Sequence, residues 1–226
     1  LNMAGALKRA DASVNEEFIL MRALRDMNLP KFIEDDLKLF FLLLGDLFPG
    51  LELPTSEYGD LQVALNRELE RKKLQQHPFL MSKIIQLYDS QLTRHCNMLV
   101  GDTLSGKSTV WKVLTDAKTA MCKEDKINGY NICNTFVMNS KSITLSELYG
   151  AYDLQTFEWA DGILSCIFKQ CSESDKPDEK WILFDGPVDA MWIESMNSVM
   201  DDNKILTLIN GDRIPLTNSM CLLFEV

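Results

Sequence analysis

The sequence predicts an α/β fold, a parallel sheet flanked by helices, preceded by a helical region. Three observations carry this reading. The glycine-bracketed turn Gly101-Asp102-Thr103-Leu104-Ser105-Gly106-Lys107-Ser108 directly follows the apolar run Asn97-Met98-Leu99-Val100. From His95 onward, strand-like and helix-like segments alternate, as they do when helices cross between parallel strands. Ahead of His95 the apolar positions recur at helical spacing instead. With 226 residues, 46% of them hydrophobic, the chain has material for one large α/β domain and a helical extension. The boundary falls between residues 1–93 and 94–226.

In the helical region, Ser13 followed by Glu16 makes a capping-box pattern, and Val14, Phe18, Met21 and Leu24 form one stripe until Pro30 interrupts it. Ile33, Leu37, Phe40, Phe41, Leu44 and Phe48 form a second stripe, closed by Pro49-Gly50 and expected to pack on the body of the fold. A third, more polar segment runs from about Ser56 to Leu74. Its charge run from Arg67 to Lys73 alternates in sign and reads as a solvated helix face. A fourth begins after Pro78 with Ile84, Ile85, Tyr88 and Leu92 on one side and leads into the first strand.

The α/β region then reads as a strand ending at Val100, a helix from Lys107 to about Met121, a strand from Ile132 to Met138, a helix from about Asp161 to Cys171, and a strand from Trp181 to Phe184. Ile163, Leu164, Ile167, Phe168 and Cys171 make the buried stripe of the second helix. Ser172 to Lys180 is polar, contains Pro177 and reads as an exposed loop. A further helix carries Asp189 and Glu194 on its solvated side and Trp192, Met196, Val199 and Met200 toward the core. Asp201 and Asp202, near its end, read as solvated acids. Ile205–Ile209, Asn210-Gly211 and Arg213–Leu216 predict a hairpin with a type I′ turn, because Asn and Gly tolerate positive φ. The chain ends on the apolar Leu222-Leu223-Phe224-Glu225-Val226, read as a strand after which a longer protein continues.

Composition narrows the function classes. The formal net charge of -10 disfavours nucleic acid as a direct partner, since phosphate backbones are gripped by clustered Lys and Arg. Six cysteines without a C-x-x-C pair, and two histidines, His77 and His95, give neither a zinc-ligand pattern nor a disulfide framework, and fit a reducing, intracellular compartment. The apolar stretch from Leu37 to Phe48 is broken by Lys38 and Asp46, so no membrane span is expected. No internal repeat or low-complexity tract stands out.

The glycine turn brings its own chemistry. Successive backbone N–H groups at a helix start cradle phosphates, Lys107 places an ammonium near the β and γ positions, and the Ser108 hydroxyl reaches magnesium. Thr109 adjoins them. Within the turn, Asp102 sets a carboxylate near the phosphates, and Leu104 sits where a left-handed backbone would cost a non-glycine residue ~1–2 kcal/mol. Asp185 ends the apolar strand that begins at Trp181, where a carboxylate holds magnesium directly or through water. Proteins that hydrolyse nucleotide on such a loop commonly follow that acid with Glu, which polarises the attacking water. Here Gly186-Pro187 follows, and neither takes a proton. ATP or ADP with Mg2+ is the expected ligand, with no catalytic residue assigned.

Several segments together resemble the dynein heavy chain, axonemal type, in the register of its second AAA+ module. They are Leu20 to Asp26, Leu47 to Pro54, the glycine turn, Lys141-Ser142-Ile143 with Leu148-Tyr149-Gly150, Trp159 to Leu164, and Phe184 to Glu194. The resemblance runs from about residue 13 to the end. It implies the large α/β domain of an AAA+ P-loop module behind a helical linker, one of six modules in the ring of an ATP-driven, minus-end-directed microtubule motor. Its first module is the main ATPase, and its second binds nucleotide structurally or regulatorily. The implied partners are the neighbouring modules, microtubules through other parts of the motor, and dynein intermediate and light chains through the tail, in the cytoplasm, cytoskeleton and axoneme. The family's adenine pocket lies near the first linker, which makes Leu29, Pro30 and Phe32 candidate base contacts. Glu225 falls where hydrolysing relatives carry a polar sensor, usually Asn. The alternatives are an autonomous AAA+ ATPase or remodelling enzyme, which needs a water-activating acid, and a small-molecule kinase, for which no Arg-rich lid is visible.

Overall fold

The apolar periodicity of the first part of the chain produces helices α1 (Asn2–Ala10), α2 (Glu16–Asn28), α3 (Glu34–Leu47), α4 (Gly59–Arg71) and α5 (Pro78–Thr93). The structure, a computed structural model, describes residues 2–10, 13–51 and 58–226. Glu52, Leu53, Pro54 and Ser56, used in the sequence reading, lie outside the described residues. The chain divides into two units, Leu1–Arg94 and His95–Val226. Among the described residues no helix is long and apolar enough to cross a membrane.

In the helical unit, local chemistry decides the ends and packing decides the faces. Asn15, not Ser13, caps α2: its side-chain oxygen accepts the Glu17 N–H at 3.1 Å, because the helix starts only at Glu16. Ile19, Met21 and Ala23 are its buried residues, whereas Leu24 of the expected stripe is exposed. The second stripe is only partly covered. Leu44 is buried, but Ile33, Leu39, Phe41, Leu42, Leu43 and Leu47 are exposed. α3 is apolar around most of its circumference, so one packed face leaves the rest uncovered. The charge run on α4 is likewise not a uniformly solvated face. Leu69 is fully buried and so is most of Glu68, whose carboxylate takes a hydrogen bond from Arg71 at 2.9 Å. α5 opens on Pro78, with His77 Nδ1 accepting the Phe79 N–H, and buries Ile84 and Leu87, leaving Leu92 exposed.

The second unit is built on a four-stranded parallel sheet of β1 (Cys96–Leu99), β2 (Cys133–Met138), β5 (Glu179–Asp185) and β8 (Met220–Glu225), in the spatial order β1-β8-β5-β2. β8, the last strand in the chain, is central, so every residue from Met220 to Glu225 is buried. Lys180 to Phe184 of β5 are buried as well, the mark of a sheet covered on both faces. Ile182, Phe184, Leu222 and Phe224 share one face with Phe168 of α8 (Ile163–Glu173), with Trp192 of α9 (Ala190–Ile193) and with Val199 of α10 (Asn197–Met200). Alternation puts Trp181, Leu183, Asp185, Leu223 and Glu225 on the opposite face. There lies α6 (Lys107–Lys123), whose Lys118 ammonium sits 5.8 Å from the centre of the Trp181 ring. Lys118 also pairs with Glu179 at 2.6 Å, and the Trp181 indole N–H donates to the same carboxylate oxygen at 3.0 Å.

Several expectations need correction. Asp161 does not start a helix. It belongs to β4 (Trp159–Asp161), which pairs antiparallel with β3 (Gly150–Tyr152), a small hairpin not foreseen from the sequence. Before it, α7 (Leu145–Tyr149) is started by a full capping box between Thr144 and Glu147. The helix after Asp185 is broken into α9 and α10 by a 3-10 turn over Glu194–Met196, and Asp189 caps α9 instead of lying within it. The second hairpin joins β6 (Ile205–Thr207) and β7 (Arg213–Pro215), but its turn is not type I′. Only Gly211 of the Asn-Gly pair has positive φ, +92°, and its N–H bonds to Leu208 O at 3.0 Å. That is a three-residue loop closed by a glycine bulge, in which Asn210 instead uses its side chain to hold the Asp212 N–H at 3.0 Å.

Candidate functional site

The glycine turn leaves β1 and enters α6 with no intervening element, and hydrogen bonds at each end fix its path. Gly101 N–H donates to Val226 O at 3.3 Å, tying the loop to the end of the neighbouring central strand, and Ser105 N–H returns to Asp102 O at 3.2 Å. Leu104 has φ +68° and its side chain is 98% exposed, so the left-handed backbone anticipated there is present and no packing compensates for it. Gly106 caps α6, whose seventeen residues direct their N-terminal dipole into the loop. The Lys107 ammonium donates to Gly101 O at 2.7 Å and Asp102 O at 2.8 Å, so the cation is held over the loop backbone.

The far wall is made by the ends of β5 and β8. Phe184 stacks on Phe224 with centroids 4.9 Å apart, and Trp192 stacks on Phe184 at 5.2 Å, so both strand ends are clamped from beneath. One residue beyond the stack, Asp185 and Glu225 are register partners on the α6 side of the sheet. Glu225 is nearly buried. It accepts the Ser108 hydroxyl on Oε1 and the Trp111 indole N–H on Oε2, the latter at 2.9 Å. Gly186 N–H then donates to Glu225 O at 3.1 Å. Gly186 holds φ +153°, and a Cβ built there would stand 3.0 Å from Asn139 Oδ1. The backbone therefore favours glycine at the position where a water-polarising Glu would stand, and any side chain there would press on Asn139.

Loop and strand ends enclose a cleft of about 570 Å³, lined by residues 103–109, 185–187, 225 and 226. Its size suits a small-molecule ligand. Thr103, Leu104, Ser105, Gly106, Lys107, Ser108, Thr109 and Asp185 thus come together, and Gly101 and Asp102 supply the carbonyls that hold Lys107. The Ser108 hydroxyl and the carboxylates of Asp185 and Glu225 are hard oxygen donors, the type that Mg2+ prefers. Leu29 and Pro30 lie in a 3-10 turn of the helical unit, and Phe32 packs its ring 4.7 Å from Phe40. Trp111 was not singled out from the sequence, where it reads as a core position of α6; only the fold shows that its indole orients Glu225. The thiols of Cys96 and Cys221, near the starts of β1 and β8 and away from the cleft, are chemically quiet. Burial pushes Cys96 up to about 11 and Cys221 up to about 12, leaving both protonated near neutrality.

Comparison with known proteins agrees with this geometry. Residues 96–224 match the family described as "AAA domain (dynein-related subfamily)", and residues 1–108 match "Hydrolytic ATP binding site of dynein motor region". Mouse dynein axonemal heavy chain 2 is 49% identical over 226 residues, the whole of this chain. Human dynein axonemal heavy chain 10 is 46% identical over 227 aligned positions, again covering the whole chain. The dynein-1-beta heavy chain of the flagellar inner arm I1 complex of Chlamydomonas reinhardtii is 46% identical over 224 positions and 99% of the chain. The chain spans about 5% of the length of each of these relatives. With a parallel sheet, a glycine turn leading into α6 and homology to axonemal dynein heavy chains from end to end, the chain belongs to the dynein-related subfamily of AAA domains.

Proposed function

We propose that this stretch is the second AAA+ module of an axonemal dynein heavy chain, with residues 1–93 as its helical linker and 94–226 as its large nucleotide-binding domain. Its task is to hold ATP, or ADP, with Mg2+ and to hydrolyse it little or not at all. One observation carries the reading: the glycine turn and Asp185 line one cleft, and the next residue, Gly186, has no side chain to polarise water and holds a positive-φ backbone that disfavours any other residue. Lys107 neutralises the β and γ phosphates, the loop and the α6 N-terminus supply N–H donors, and Ser108 and Asp185 hold the metal. Leu29, Pro30 and Phe32 contact the base. A ligand that persists stabilises the state that binds it, so the module would brace its neighbours in the ring while another module cycles. By the same reading the whole protein is a minus-end-directed microtubule motor of the axoneme that carries intermediate and light chains on its tail.

A second reading, an autonomous ATPase, draws support from the word "hydrolytic" in the description of the family matched by residues 1–108. That match includes Lys107 and Ser108 but stops short of Asp185 and Gly186. The test is the nucleotide released on denaturing the rapidly purified full-length chain, alongside its Lys107→Ala variant. Retained triphosphate, lost from this site in the variant, is expected. Conversion to diphosphate at this site at an ordinary enzyme's rate would overturn the binding-only reading.

A further inference from the structure

We propose that Glu225 is a positioning residue that makes nucleotide binding at this site depend on the divalent cation. The inference rests on the nucleotide-binding reading above and deepens it. Glu225 ends the central strand β8 beside Asp185, on the face of the sheet that looks toward α6. Both of its oxygens are engaged by α6: Oε1 by the Ser108 hydroxyl, and Oε2 by the Trp111 indole N–H at 2.9 Å. Ser108 and Trp111 are three residues apart, and so lie on one side of that helix. The carboxylate is therefore held at a set place and orientation, 8% exposed, at the floor of the phosphate cleft.

Two consequences follow from charge and hydrogen-bond stereochemistry. A hydroxyl has one proton to donate and two lone pairs to offer. With its proton committed to Glu225, Ser108 presents only lone pairs to the cleft, the state in which it serves a cation and not a phosphate oxygen. The carboxylate also adds a second negative charge beside Asp185, close to where a polyphosphate would lie. Bare ATP is repelled by that pair, and a divalent cation between carboxylates and phosphates converts the repulsion into attraction. Asp185 alone would give a weaker dependence. A Glu at this place that merely stapled β8 to α6 would affect stability and leave the metal dependence untouched.

The distinguishing quantity is the ratio of ATP dissociation constants without and with magnesium. It is read locally, in the full-length chain, from ATP-dependent protection of the peptide spanning residues 101–109 against hydrogen–deuterium exchange, in excess Mg2+ and in EDTA. Glu225→Gln, which keeps side-chain shape and an acceptor for Ser108, is expected to lower that ratio by about tenfold, the order expected for one like charge near the phosphates at an intermediate dielectric. Trp111→Phe, which retains the carboxylate and frees its orientation, is expected to lower it by about threefold. Protection of the peptide spanning residues 179–185 in the absence of ATP reports whether each variant is folded; should Glu225→Gln fail that control, Trp111→Phe carries the decision. A ratio unchanged within about twofold in the folded variants would overturn the assignment and leave the binding function intact. Absence of any ATP-dependent protection in the unmodified chain would instead remove the binding reading itself.

Discussion

Gly186→Glu places the missing acid directly after Asp185, and the structure says what this would do. The residue sits at φ +153°, a region open essentially to glycine, where another residue costs of order 1–3 kcal/mol. The new Cβ would meet Asn139 Oδ1 at 3.0 Å, and that oxygen already accepts the Lys141 N–H at 3.0 Å. Pushing Asn139 aside forfeits that bond, roughly a further 1 kcal/mol. A total of about 2–4 kcal/mol lowers the melting temperature by roughly 5–15 °C for a cooperative unit of about 150–250 residues. Adding Asn139→Ala relieves the contact but neither the backbone strain nor the loss of the bond to Lys141, so the double variant recovers little relative to Gly186→Glu. Differential scanning fluorimetry measures the melting shift, and a phosphate-release assay measures turnover. Hydrolysis is expected to stay at its original level, because the strained backbone also disturbs the Gly186 N–H bond to Glu225 O that positions the strand ends. A variant that melts within about 2 °C of the parent while hydrolysing ATP at least about tenfold faster would refute this account.

Three further outcomes follow from named contacts. Burial raises Asp89 to about 6 from an ordinary 3.8, against the opposing effect of the hydrogen bond it accepts from Tyr58 at 2.6 Å. The folded state thus holds the proton more tightly than the unfolded chain, so the stabilisation is complete below about pH 4 and is lost as pH rises through about 6. Discounted for partial exposure, it is about 1–2 kcal/mol; Asp89→Asn should flatten the pH dependence of urea unfolding over that window and raise stability at pH 7.5, and a slope unchanged from the parent counts against it. Lys118→Met takes the ammonium away from the part-buried Glu179 carboxylate and should cost about 3 kcal/mol in denaturant titrations, most of it regained on adding Glu179→Gln, since Trp181 still donates to the amide oxygen. Leu104→Gly removes the penalty of φ +68° from a side chain with no packing to lose, worth ~1 kcal/mol. Denaturant titration should show the variant more stable by that amount with ATP affinity little changed; an unchanged unfolding midpoint would mean the strain is relieved in some other way.

What could be read in advance was what depends on short range. Gly101 to Ser108 stands out because its glycines, lysine and hydroxyl fall within a single turn, and the structure does place that turn at a helix start. Asp185 could be picked out because a lone acid closing an apolar strand stands out against Trp181 to Phe184. Residues decided by their neighbours were harder. The sequence pattern favoured Ser13 as the α2 cap, yet the cap is Asn15, two residues later, and the helix begins at Glu16. Asn210-Gly211 looked like a two-residue turn until pairing of β6 with β7 set the loop at three residues. α3 offers more apolar residues than one packed face can use, and its sequence does not say which.

From its linear order alone the chain determined its class, the glycine turn between β1 and α6, the strand-ending acid, and the absence of a proton-accepting side chain at residues 186 and 187. Tertiary structure alone decided that the last strand lies between the first and the fifth, bringing Glu225 beside Asp185 and beneath Ser108 and Trp111. The reason is that parallel pairing joins segments far apart in sequence, and nothing local to Glu225 encodes which strand will stand beside it.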